Sequence, residues 1–407
     1  MKQGKLTKSG LTWRSWHSLD ACASLWESLE GLPVAISYDY LSAIECRPPD
    51  KMSFIYVVLF KEERPLGLAY FQLVDFSAAK SLKLPQDKSC NSFFSAFVPT
   101  TKKMLAAHIS FKALINGNLL SSGPHGFYFL PEVPCRDREE IMMEMIEQLF
   151  IEEKVLKEVS VCLLKDLPAS KRFQVQRTLR KFKFFEFQIQ PGMRFFVREE
   201  WNEFSDYLDE LESKYRLRIK KTLEKSKDLS IRKVQAQELH KWNSVLYEMY
   251  LEILDNAGFN MVKLHPNYFI EFKSKLQDAG EVIVFFEDEL PIGFCSYILN
   301  GDEMLAHFVG YRKQKNAGYQ IYSNILLVLI QEAIRLKLNS IDFARTALEI
   351  KSSVGAQSEQ LYCYISHHSK IYNHFIPMLL QCLQPENEWV ERSPFKKGKS
   401  PLKVPQV

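Results

Sequence analysis

The chain has 407 residues, 46% of them hydrophobic and 25% charged, which is enough apolar material for two hydrophobic cores and too much for a disordered chain. Its 53 basic and 49 acidic residues leave a formal charge of +4, too balanced for a protein that holds DNA by general electrostatics. No stretch reaches the roughly 18 apolar residues of a membrane span, and Met1–Asp20 has no apolar signal-peptide run, so the expected location is cytoplasmic.

The spacing of apolar residues predicts short helices over 20–30 and 38–46. The period then changes. SFIYVVLF (53–60) and LGLAYFQLVDF (66–76) are rich in β-branched and aromatic residues around the polar turn KEERP, and together they predict a β-hairpin. Residues 77–103 give no firm signal. The segment 111–129 predicts a strand broken by Gly117, Gly123, Pro124 and Gly126. A helix follows from Asp137, with Ile141, Met142, Met145, Ile146 and Leu149 on one face, then a strand at 158–164. Residues 168–181 look helical and basic. FKFFEFQIQ and PGMRFFV predict two strands around a turn at Pro191 and Gly192.

A division near Glu199 is expected, with domains at 1–198 and 199–390 and a disordered basic tail at 391–407. The second half predicts a helix at 201–227, a strand at 229–234 and helices at 237–256 and 267–277. Three strands follow at 281–287, 292–299 and 303–310, joined by the turns DELP and NGD. The next helix, 318–336, contains six consecutive apolar residues, Ile325–Ile330, and so must be covered on most sides. A strand at 340–344, a short helix at 347–354 and a strand at 359–365 complete a βββαβαβ order. The expected class is α/β (α+β), with mixed sheets of mainly antiparallel strands around buried helices.

The segments 61–73 and 287–299 share acidic turn residues, a proline, a glycine (Gly67 and Gly293) and an aromatic-rich strand, a pattern that points to a duplicated chain. Eight scattered cysteines form no CxxC pair and no metal-ligand spacing, so neither disulfides nor a metal are expected. No nucleophile elbow, P-loop, HExxH or dinucleotide glycine signature is present.

YRLRIKKTLEKS (215–226), HFVGYRKQKNAGYQIYSNILLVLI (307–330), FARTALEIKSSVGA (343–356) and INGNLLSSGPHGF (115–127) resemble segments of the bacterial FemAB-like, tandem GNAT-fold acyltransferases. The resemblance implies two GNAT-like domains, the first degenerate. It also implies transfer of an acyl group from a thioester or ester donor to an amine. The implied donor is acyl-CoA or an acyl-carrier protein, and in FemAB-type relatives aminoacyl-tRNA; a non-catalytic binding protein on the same fold is the alternative. The crossing QKNAGY departs from the Arg/Gln-x-x-Gly-x-Gly/Ala pattern, with alanine and tyrosine at the glycine positions. Gln314, Asn316 and Gly318 are the residues of that crossing placed to meet a phosphate.

Three candidates stand out for the chemistry. His307 is either a general base or a packed core histidine, Glu349 is the competing base, and Tyr322 is a hydroxyl able to protonate a leaving group. Arg345 and Lys351, just past a strand end, are candidates for gripping the substrate, as are Tyr311 and Tyr319 near the crossing. Lys214, Arg218, Lys221 and Lys225 recur at helical spacing with Arg216 and Lys220 beside them, either a phosphate-steering stripe or a solvated face.

Overall fold

The structure, a computed structural model, describes residues 1–77, 110–255, 262–383, 389–396 and 398. In chain order its strands are β1 (Lys2–Lys5), β2 (Thr12–Trp16), β3 (Met52–Lys61), β4 (Arg64–Ser77), β5 (Ser110–Asn116), β6 (Phe127–Phe129), β7 (Val159–Pro168), β8 (Phe185–Gln188), β9 (Gly192–Phe196), β10 (Ser230–Lys233), β11 (Gly280–Glu287), β12 (Leu290–Asn300), β13 (Glu303–Tyr311), β14 (Ser340–Asp342), β15 (Gln357–Glu359) and β16 (Leu361–His367). The helices are α1 (Ala23–Glu27), α2 (Tyr38–Cys46), α3 (Cys135–Glu152), α4 (Arg172–Lys181), α5 (Phe204–Glu210), α6 (Ser213–Lys225), α7 (Ala236–Leu254), α8 (Tyr268–Leu276), α9 (Lys313–Tyr319), α10 (Ile321–Arg335), α11 (Leu348–Ser353) and α12 (Lys370–Leu383).

Two mixed sheets result, the class expected from the sequence. The first runs β1-β2-β3-β4-β5-β7-β16-β8 with β6 beside β4, and the second runs β10-β11-β12-β13-β14-β9-β15. Each half contains the same unit. Three antiparallel strands, β3-β4-β5 or β11-β12-β13, are followed by a helix and a fourth strand parallel to the third, β7 or β14. A crossover connection, here through α3 or α10, is what such a parallel pair requires.

The halves then trade strands. β16 leaves the second half to pair antiparallel with β7 and β8, while β9 leaves the first half to pair with β14 and β15. The strands expected to flank a turn at Pro191 and Gly192 therefore lie in different sheets, and the strand expected at 359–365 is split between them. A boundary drawn near Glu199 is crossed in both directions. Local alternation shows that a segment is extended but not which sheet it completes.

Three other expectations change. The N-terminal residues form the β1–β2 hairpin and pair with β3, which the sequence reading did not anticipate. The helix expected at 318–336 is interrupted at Gln320, whose φ is +48°. The start of the tail is not free: Phe395 is 6% exposed, bridges Leu211, and packs against Trp201 and Tyr207. Residues 78–103 of the weak stretch at 77–103, and the tail beyond Gly398, lie outside the described residues.

The apolar run in α10 behaves as its composition requires, with Ile325, Leu326, Leu327, Leu329 and Ile330 all buried. Each such side chain contributes on the order of 1.5–3 kcal/mol of transfer free energy. Between the halves a shared core joins Tyr40 and Leu41 of α2 to Phe269 and Phe272 of α8 and Phe294 of β12. Gly310 lets α7 lie directly on β13: a Cβ there would stand 2.7 Å from the Tyr250 amide nitrogen and 2.8 Å from the Met249 carbonyl carbon.

Candidate functional site

Parallel neighbours that separate at their carboxyl ends leave a crevice in which α/β proteins place ligands. Here β5 and β7 run parallel from Lys112 and Val159, and β13 and β14 pair only over Glu303–Leu305 and Ser340–Asp342 before parting. Asn118, Ser121 and Arg345 lie in the loops that follow β5 and β14, and Lys165 and Asp166 lie near the end of β7.

A run of neighbouring polar groups crosses this junction. It starts at His307, whose ring shares a 2.7 Å hydrogen bond with the Tyr268 hydroxyl. The Tyr40 hydroxyl stands beside the side chains of Tyr268, Asn118 and Ser121. The Lys165 ammonium donates to the Ser121 carbonyl at 2.8 Å and to the Asp166 carboxylate. Asp166, with no exposed side-chain surface, also accepts from the Gly123 amide at 3.2 Å and from the Arg345 guanidinium. Burial pushes the Asp166 carboxyl up, but Lys165, Arg345 and these hydrogen bonds outweigh it and hold the carboxyl below the usual range.

Beyond Arg345 the chain turns sharply. Ala344, Thr346 and Ala347 all have positive φ, of 56°, 70° and 48°, a conformation that L residues with a Cβ adopt rarely and that concentrates at functional loops. Lys351 braces this path. Only 4% exposed, it donates to the Arg345 carbonyl at 2.6 Å and the Ala344 carbonyl at 3.4 Å, while the Asp342 carboxylate accepts from the Ala344 amide at 2.7 Å. Burial pulls the Lys351 ammonium down to about 7, partly opposed by Asp342. Burial raises the Asp342 carboxyl.

The structure thus brings His307, Arg345 and Lys351 into one network, but not with Glu349 or Tyr322. Glu349 faces Arg392 at 3.4 Å on the surface instead of pairing with Arg345. Tyr322 packs near Tyr311 on the α10 side of the second sheet, where burial raises both hydroxyls. His307 lies on the opposite side, stacked on Phe272 and close to Tyr40 and Phe308. Simple alternation would put it on one face with Leu305 and Val309. A bulge intervenes: His307 and Phe308 stand opposite Ser296 alone, so Leu305 joins the shared core while Val309 packs on the α10 side.

Burial lowers His307 to about 3, so its imidazole is neutral throughout the physiological range and too weak a base to match a reaction near neutral pH. The expected NMR titration is flat for the His307 ring from pH 5 to 8; a midpoint near 6.5 would contradict the burial described.

At the crossing, α9 replaces an open glycine loop. Asn316 Oδ1 accepts from the Tyr322 amide at 3.1 Å, Asn324 Nδ2 donates to the Tyr319 carbonyl at 2.8 Å, and Thr222 of α6 donates to the Gln320 side chain at 2.5 Å. Glu287 lies alongside, bonded to Tyr319 and Lys315. Side chains close the α10 N-terminus, and a carboxylate stands next to it. This arrangement does not fit the glycine-loop cradle for a coenzyme A pyrophosphate. Gln314 and Gly318 lie on α9, and a Cβ at Gly318 would meet nothing within 4 Å. Of the basic stripe, Arg218 lines a groove with Tyr215, Thr222, Ser323, Ile350 and Ser353, Arg216 faces Asp209 at 3.5 Å, and Lys220 is exposed.

Tyr40, Asn118, Ser121, Lys165, Asp166 and Tyr268 were not singled out from the sequence. A lysine and an aspartate closing an apolar strand, Lys165 and Asp166, were the available signal, the same one that marked Arg345.

Among solved structures, FemX superposes over 89% of this chain and 99% of its own, with a TM-score of 0.53 and 9% identity. The chain shares its fold with FemX. A tandem GNAT protein from the clavulanic acid biosynthesis pathway covers 88% of this chain and 99% of its own, with a TM-score of 0.48 and 9% identity. L-PGS from Bacillus licheniformis covers 86% and 98%, with a TM-score of 0.43 and 11% identity. No protein-family model matches the sequence, and no curated protein matches it. The FemX-like fold accounts for the repeated strand order of the two sheets. No helix among the described residues is long and apolar enough to cross a membrane, and none of their His, Cys, Asp and Glu side chains form a group able to hold a metal ion.

Proposed function

We propose that the chain is an acyltransferase that brings an activated acyl donor and an amine acceptor together in the cleft between its two halves. The observation that carries this reading is the run of polar groups from His307 of β13 through Tyr268 of α8, Tyr40 of α2, Ser121 of the loop after β5 and Lys165 and Asp166 of β7 to Arg345 of the loop after β14. Acyl transfer to an amine needs two substrates held in attacking range and hydrogen-bond donors for the developing oxyanion. The buried donors of this run would supply the second of these.

In this reading the donor lies on the second half, with its phosphate near Arg218 in the groove between α6, α10 and α11. Arg345 and Lys351 act as positioning residues, since both bond to protein groups. The closed α10 terminus favours an acyl-carrier protein or aminoacyl-tRNA over coenzyme A, and tRNA would be marked by binding that weakens steeply with salt. The same closure supports a second reading, a binding protein that keeps the fold without the chemistry.

The test is incubation with labelled acyl-CoA, acyl-carrier protein and aminoacyl-tRNA in the presence of cell extract. Label transferred to an amine from any one of them supports the enzyme and names its donor. No transfer from any of the three leaves the binding protein.

A further inference from the structure

Helix α6 sets Lys214, Arg218, Lys221 and Lys225 on one face at spacings of four, three and four, and all four are exposed. Cations at those spacings repel one another and weaken the helix that carries them. Lys214 also stands in the first turn, the end where the helix dipole disfavours positive charge, and that turn holds no acidic residue. Nearby carboxylates do little to offset this. Glu212 approaches Lys214 only to 3.9 Å, and Glu224 is paired with Lys227 at 2.6 Å. Arg218, Lys221 and Lys225 form no ion pair with a described residue.

The face is not uniformly charged. Leu217 is 56% exposed and lies one turn from both Lys214 and Lys221, while Arg218 beside it lines the groove between α6, α10 and α11. On the α11 side of that groove Ile350 is 39% exposed. An apolar side chain ringed by cations has the make-up of a protein interface, apolar at its centre and polar at its rim. A phosphate backbone would engage the cations but gives Leu217 no counterpart. The one aromatic residue of α6, Tyr215, is half-buried under the Lys214 ammonium, 4.8 Å from its ring centre, so no free ring is offered to a base. From Lys214 to Lys225 the stripe runs about 16 Å at 1.5 Å per residue, too long for a single small anion.

We propose that the exposed face of α6 is the docking surface for an acidic carrier protein, whose phosphate-linked arm it sets at Arg218. The choice of a carrier as the partner rests on the reading that an acyl donor enters the groove beside α6. The acidic character of the partner follows from the stripe itself.

The test uses the full chain and two fluorescently labelled probes, a purified acyl-carrier protein bearing its arm and bulk tRNA, with binding followed by anisotropy. The variants are Lys214→Glu combined with Lys221→Glu, and Leu217→Ser alone. All three positions are exposed, so circular dichroism should show the wild-type fold in both. The expected result is saturable binding of the carrier that weakens as salt is raised and falls at least tenfold in each variant. Loss in Leu217→Ser, which changes no charge, marks a protein surface. Binding of tRNA in place of the carrier, unchanged by Leu217→Ser, would assign the face to RNA and overturn the proposal. Binding of neither probe, or carrier binding equal in wild type and variants, would overturn it as well. Carrier binding in a chain that transfers no label would sink only the catalytic reading; label transfer from another donor without carrier binding would sink only this one.

Discussion

Asp166→Ala is expected to destabilise the protein by about 3–5 kcal/mol, the usual cost of removing one partner from a buried ion pair and leaving the other charge uncompensated. Two cations depend on this carboxylate, Lys165 with 11% of its side chain exposed and Arg345 with 16%. Asp166→Asn keeps the shape and separates charge from packing. If charge dominates, both variants lose similar stability in urea unfolding; if packing dominates, Asn rescues most of it. The pH dependence follows from the lowered carboxyl. An acid whose folded pKa lies below its unfolded value of about 3.9 contributes stability that is present above that value and lost as pH falls through the folded one. The difference between wild type and Asp166→Asn should therefore be constant near neutrality and shrink only in acid.

Lys351 has the opposite signature. Its ammonium is pulled down to about 7, whereas the unfolded chain keeps an ordinary lysine near 10.4. Between these values the unfolded state binds more protons, so stability rises with pH, by up to about 1.4 kcal/mol per unit from this one group. Lys351→Met preserves most of the volume and removes the titration. Wild type minus Lys351→Met is expected to be flat below pH 7 and to climb between pH 7 and 10. Chemical denaturation across that range measures it, and a flat difference would mean that the ammonium reaches solvent. The variant also loses the two hydrogen bonds that hold the Ala344–Ala347 turn, so Arg345 should lose its fixed geometry.

These two residues show how far the sequence could be read. Three strands in a row, a helix with six consecutive apolar residues and a charged segment after a strand end all leave local traces, and β11 to β14 with α10 are where periodicity places them. Membership of a sheet leaves no such trace. Gly192–Phe196 and Leu361–His367 alternate as extended strands must, yet each completes the sheet of the other half. The side on which His307 points was hidden by one extra residue opposite Ser296. Arg345 was singled out as a strand-end cation placed to grip a substrate, but it is taken up by Asp166, 179 residues away in sequence. Tyr40 and Tyr268 read as ordinary aromatic residues of core helices, because their hydroxyls meet only when α2 and α8 pack together.

The central claim is that the polar chain between the halves carries the reaction. Tyr268→Phe cuts it at one hydroxyl while leaving the ring in the core, so the fold should persist by circular dichroism. The decisive measurement is the rate of label transfer by this variant and by the wild type, from whichever donor the wild type uses. The account predicts transfer by the wild type and a rate at least tenfold lower in Tyr268→Phe. Equal rates, or no transfer by the wild type from any of the three donors, would contradict it.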